Sequence, residues 1–133
     1  MSESAIAEAV VTAINAELPA RVRAYELDDI PNALPTAYVE VTVYRRFVED
    51  GQRGDGSLSR RGYRILTRLV AKHADDMDTL AERVTAALDF ATLTVGAQET
   101  TVDFDTGDSP APDDGWYSAL HSWTCSLPIT NPR

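Results

Sequence analysis

The side chains of this 133-residue sequence that could do chemistry are few and scattered: His73, His121, Cys125, the acids Asp103 and Asp105, and a glycine-rich stretch at 47–61. Zinc takes three or four converging His, Cys or acidic ligands. His121 and Cys125 are four apart on one predicted strand, which separates them by about 13 Å at roughly 3.3 Å per residue, so they do not share a metal. Cys125 with His73 would need to meet across strands, and no Gly-x-Ser-x-Gly elbow exposes a nucleophile. A buried thiol and a surface histidine at a strand end is the simpler reading. Asp103 and Asp105 alternate onto one strand face, as a glycosidase pair would, but they also suit a solvated or partner-facing row. The acids at 103, 105 and 108 miss calcium-loop spacing and its closing Glu, and the glycine-rich stretch lacks Gly-Lys-Ser/Thr. Arg53-Gly54-Asp55 is a tripeptide that arises easily by chance. No enzyme activity, metal or cofactor is expected.

The elements that must position these groups follow from periodicity. Ile6, Val10, Ile14 and Leu18 recur every four residues over 3–18, an amphipathic helix with Ser2 or Ser4 as its cap and Pro19 as its stop. A short strand is expected over 21–27, followed by a proline-punctuated loop. Over 38–46, Val39, Val41 and Val43 face one way, with Tyr38, Glu40, Thr42, Tyr44 and Arg46 opposite. Over 62–72, Tyr63, Ile65, Thr67, Leu69 and Ala71 share one face, with Arg64, Leu66, Arg68, Val70 and Lys72 on the other, whose basic heads can reach a partner. Asp75 or Asp76 caps a second helix through Met77, Leu80, Val84 and Leu88, which packs across the valine face. Residues 94–95 and 100–105 form one or two short strands with Val102 and Phe104 inward. Residues 116–127 form a central or near-central strand, with Tyr117, Ala119, His121, Trp123, Cys125 and Leu127 on one face. The tail 128–133 reads as a flexible arm.

The expected fold is therefore α+β: a mixed, mainly antiparallel β-sheet packed by two α-helices, with a long arginine-rich β-hairpin loop. One domain, 1–133, accounts for the length, since domains run about 100 to 150 residues. The absence of a long apolar run or signal-like leader places the chain in a cytoplasm-like compartment, and a lone cysteine cannot close an internal disulfide.

Charge is uneven along the chain. The formal net charge is −9 and the pI about 4.5, which argues against general phosphate-backbone binding. Eight of the twelve basic residues lie between 45 and 72 against three acids, leaving that stretch at +5 and the remainder at −14. The 47–61 connection, far longer than an ordinary hairpin loop, invites a contact that orders it.

The order of helix, strand, long-looped arginine-rich hairpin, helix, acidic strand and final long strand resembles the tail terminator proteins of long-tailed bacteriophages, also known as minor tail or tail-completion proteins. The resemblance is carried by 5–18, 37–46, 61–76, 78–90 and 116–127, and it is one of pattern and size. It implies a virion structural subunit that forms a ring, usually a hexamer, at the head-proximal end of the tail tube. Such a ring stops tube polymerisation and joins the tail to the head connector. The partners implied are further copies of the chain, the tail-tube protein, the connector or neck protein, and viral DNA passing through the lumen without specific binding. The location implied is the virion tail or neck, assembled in the bacterial host cytoplasm. A tail-tube or connector subunit, and a nucleic-acid-binding module using the basic hairpin, are the alternatives.

A ring is built from heterologous contacts in which one patch meets a different patch on the next copy. The expected interface pairs a basic edge and loop, Arg45, Arg46, Arg53, Arg60, Arg61, Arg64 and Arg68, with an acidic patch, Glu99, Asp103, Asp105, Asp108, Asp113 and Asp114, on a neighbour.

Overall fold

Apolar side chains on a 3.6-residue period fold as two helices, and three alternating stretches fold as the long strands they cover. The computed structural model describes residues 2–19, 22–32, 35–45 and 60–128; the side chains of Ser2, Arg60, Asp113 and Pro128 lie outside that description. Helix α1 is Ser2–Glu17 and helix α2 is Ala74–Leu88. Strands are β1 (Arg23–Glu26), β2 (Ala37–Arg45), β3 (Arg60–Ala71), β4 (Thr92–Val95), β5 (Gln98–Thr101), β6 (Asp103–Gly107), β7 (Ala111–Asp113) and β8 (Trp116–Pro128). A 3-10 turn, Leu27–Asp29, follows β1.

The main sheet runs β1-β2-β3-β8-β6, with β7 pairing the same free edge of β8 farther along. Among the described residues only the β1–β2 pair is parallel; the other pairs are antiparallel. The fold is α+β, with β8 inside the sheet as its alternation implied. Strands β4 and β5 make a separate hairpin, turned at Gly96, whose φ of +63° suits a residue without a β-carbon. This hairpin is held to β8 by Thr100, whose hydroxyl donates to the Ser126 carbonyl at 2.6 Å and accepts from the Ser126 N–H at 3.2 Å.

Both helices lie on one side of the main sheet. Ile6, Val10 and Ile14 of α1 and Met77, Leu80, Val84 and Leu88 of α2 bury against Val39 and Val41 of β2, Ile65 and Leu69 of β3, and Trp123 of β8. At the middle, the Trp123 indole N–H donates to the Thr67 hydroxyl at 3.1 Å, and that hydroxyl contacts the His121 carbonyl at 3.4 Å, so a fully buried threonine satisfies a fully buried tryptophan. At the edge, Asn15 reaches from α1 to β1, accepting from the Ala24 N–H at 2.8 Å and facing the Ala24 carbonyl with its amide at 3.3 Å.

Three expectations change. Phe104 is half exposed rather than inward, because β6 is an edge strand; its ring stands edge-on to Trp123 and His121 while Val102 is fully buried. Helix α2 starts at Ala74, with His73 at the cap position and no side-chain cap bond. Asp75 and Asp76 sit instead in the first turn, where their charge opposes the positive helix end. Helix α1 already runs through Ser2 and Ser4, so neither precedes it. The expected connection at 47–61 falls largely outside the described residues, as does the tail beyond 128. Among the described residues no helix is long and apolar enough to cross a membrane.

Thr67→Val keeps the shape of a buried side chain but orphans the Trp123 indole N–H. We expect a loss of about 1–3 kcal/mol, read by urea denaturation, with Thr67→Ser retaining most of the stability.

Candidate assembly surface

Alternation divides every long strand between a helix-covered face and an open one. The open face carries Tyr38, Glu40, Thr42 and Tyr44 of β2, Arg64, Leu66, Arg68 and Val70 of β3, and Ser118, Leu120, Ser122 and Thr124 of β8. Arg23 and Tyr25 of β1 share it through their partners Tyr38 and Glu40.

The basic residues expected on one edge fall on both sides of the sheet. Arg64 and Arg68 stand on the open face; Arg61, opposite Leu127, and Arg45, opposite Tyr63, belong to the helix-side rows. The Arg45 N–H lies 3.3 Å from a Glu3 carboxylate oxygen, joining the end of β2 to the start of α1. Arg60 opens β3 opposite Pro128, and Arg46 and Arg53 lie outside the described residues.

The acids also separate. Glu99 is exposed on the small β4–β5 sheet, Asp103 and Asp105 are on β6, and the Asp108 N–H donates to the Leu120 carbonyl at 3.1 Å. Asp113 ends β7 opposite Trp116, and Asp114 and Gly115 form the two-residue turn into β8 with φ of +57° and +86°. Two successive positive φ values are what a type I′ hairpin turn requires.

The structure brings Arg64 and Asp105 together within one chain. Arg64 Nη1 lies 3.4 Å from Asp105 Oδ2, and the Ser122 hydroxyl donates to the same oxygen at 3.1 Å. A bulge between Phe104 and Thr106 supplies this geometry by placing an extra residue, Asp105, on the edge strand. Arg68 Nη1 stands 3.5 Å from Glu40 Oε2, its cross-strand neighbour. Both pairs are partly solvated, so each contributes about 0–1 kcal/mol and acts mainly on orientation. At one end of the face, Lys72 Nζ sits 5.4 Å from the Trp116 ring centroid, and Trp116 meets Tyr38 edge-on at 6.4 Å. Sequence reasoning missed these contacts, because they depend on register.

The groups with chemical potential do not converge. Cys125 is opposite Tyr63, whereas His73 lies beyond the far end of β3; Tyr63 to Ala71 alone spans about 26 Å at roughly 3.3 Å per residue. Burial pushes the Cys125 thiol up to about 11, with Asp103 adding to the rise and a hydrogen bond from Thr100 opposing it. His121 is lowered by burial, against an opposing hydrogen bond and charge from Asp108; its Nδ1 is buried with no hydrogen-bond partner among the described residues. Among those residues no three His, Cys, Asp or Glu side chains group to hold a metal.

No family model matches the sequence, and no curated protein matches it. The fold does have solved counterparts. A chain in the virion of a native gene transfer agent particle superposes with a TM-score of 0.74 at 12% identity, over 96% of this chain and 98% of that one. A second solved structure gives 0.59 at 15% identity, over 98% and 94%. At these identities the likeness is one of fold, and it is end to end.

Two measurements check the site chemistry. With its thiol near 11 rather than the ordinary 9.0, native Cys125 should label about 100-fold more slowly at mildly alkaline pH than the unfolded chain. Because the folded protein disfavours protonated His121, the unfolded state binds the proton first as pH falls below 6.5, and stability drops from there until the lower folded value is passed. Urea midpoints at about pH 7.5 and about pH 5 should therefore differ less in His121→Gln than in the parent.

Proposed function

We propose that the protein is a virion structural subunit of a tailed phage or phage-like particle, and within that class a tail terminator. In this reading it forms a ring, a hexamer, at the head-proximal end of the tail tube, halts tube growth and presents a surface to the head connector. The observation that carries the proposal is the end-to-end fold likeness to a chain in a gene transfer agent virion. The element order that resembles tail terminators supports the finer reading.

The acidic balance fits a lumen through which DNA passes without sticking, since a negative wall repels phosphate. The nucleic-acid-binding alternative loses ground to a specific arrangement: the arginines of the hairpin strands divide between two sheet faces, and Arg64 and Arg68 on the open face lie against Asp105 and Glu40. A tail-tube or connector subunit is the remaining alternative within the virion class.

Electron microscopy of the purified protein mixed with tails tests the proposal. A terminator caps one tail end with a ring, whereas a tube subunit polymerises and a connector seats on the head portal. Tails that stay bare would sink the terminator reading. Arg60→Glu with Arg61→Glu is expected to abolish capping while the circular dichroism spectrum stays that of the parent.

A further inference from the structure

The imidazole of His121 is the surface on which the end of the edge strand β6 rests. Gly107 stands opposite His121 across the β6–β8 pair, and a β-carbon at 107 would come within 2.8 Å of His121 Cδ2 and 3.3 Å of Cγ. No β-carbon makes such a contact without displacing the ring, so glycine is what lets the strand sit this close. The Phe104 ring stands edge-on to the imidazole, with centroids 6.2 Å apart. The Asp108 backbone hydrogen-bonds the ring, while the Asp108 N–H donates to the Leu120 carbonyl at 3.1 Å. Three residues of one short segment therefore close over a single side chain of β8.

That side chain fits its place only as neutral imidazole. Its Nδ1 is buried with no hydrogen-bond partner among the described residues. A bare acceptor nitrogen costs less than a buried, charged N–H with nothing to receive it. The charge acting on the ring is that of Asp108, which favours the protonated form, but burial disfavours that form and is the larger effect. The other neighbours present no charge to it. Thr67 is the uncharged partner on β3, Asp103 and Asp105 go with Thr124 and Ser122 to the open face, and α2 turns Met77, Leu80, Val84 and Leu88 inward. Of the charges on α2, Asp76 is half-buried in the first turn and Asp75, Asp78, Glu82, Arg83 are exposed.

The rest of the hold on β6 is slight. Among the described residues it pairs with β8 alone, all five of its residues are exposed, and the bulge at Asp105 interrupts its ladder. On the open face it is tied by Asp105 to Arg64 at 3.4 Å and to Ser122 at 3.1 Å, contacts that are partly solvated. Edges of this kind open locally far more easily than the centre of a sheet. We infer that neutral His121 latches the β6 edge, and that protonating it releases residues 103–108 from β8. Opening wets the ring and gives both nitrogens water as a partner. Because the closed state holds the ring below its ordinary 6.5 and the open state does not, opening is promoted as pH falls through 6.5 and stops growing once the closed value is passed. Asp105 leaves with β6, so a proton taken up on the helix side breaks the Arg64–Asp105 pair on the other. This device does not depend on the ring-subunit reading.

Amide hydrogen exchange of the full chain at about pH 7.5 and about pH 5, corrected for the intrinsic pH dependence of exchange, tests it. Protection of the Asp108 N–H and of amides 103–107 should fall at the lower pH, by up to about 30-fold, the ceiling that an open-state value of 6.5 sets over that range. At both pH values these amides should exchange faster than those of Ile65 and Trp123, which marks a local opening. The Ala24 N–H, bonded to Asn15 on the opposite edge strand, should keep its protection. His121→Gln should lose the pH response of 103–108, and His73→Gln should retain it. Unchanged protection of 103–108 in the parent, exchange in step with Ile65 and Trp123, an equal loss at Ala24, or a full response surviving in folded His121→Gln overturns the inference.

Discussion

The structure depends on a sheet whose two described helices both pack on the same side. Period-two alternation on β2, β3 and β8 gathers Val39, Val41, Ile65, Leu69 and Trp123 into a row that water must not reach, and two helices are enough to close it. Among the described residues there is no third layer, and the other face is polar and charged around a few apolar side chains. The cross-strand ion pairs of that face lie where none of the described helices packs.

Much of this was legible in the residues themselves. The valine row of β2, the apolar stripes of both helices and the long alternation of β8 each carry enough repeats to fix element type and buried face, and the α+β architecture follows from their order. Short elements carry fewer repeats. Strand β1 has four residues, and its parallel pairing with β2 depends on the path between them. The separation of β4–β5 from β6 turns on one position, Val102, where the backbone leaves the small hairpin and joins the main sheet, its N–H and carbonyl bonding Ala91 and Phe90 on the way.

The candidate surface was less readable, for a reason of register. Sequence places Arg64 and Asp105 in opposite charge groups and suggests they meet between copies, but a single bulge on β6 brings them together within one chain. A one-residue insertion in an edge strand changes which side chains oppose which, and nothing in local composition announces it. Likewise, the basic stretch looks continuous along the chain because a sequence has no faces; folding sends Arg45 and Arg61 to one side and Arg64 and Arg68 to the other.

The central placement of β8 bears on how the molecule is made. This strand is synthesised after every other described element, yet it fills the gap between β3 and the β6–β7 edge. Until it emerges from the ribosome, β3 presents a twelve-residue row of unpaired backbone groups, and the helices cover a core that still lacks Trp123. Such nascent intermediates join readily to other unfinished chains. Sequence-distant pairings such as Thr67 with His121 also make closure slow. High-level synthesis of this protein should thus be limited by the lifetime of the incomplete sheet more than by the stability of the finished one.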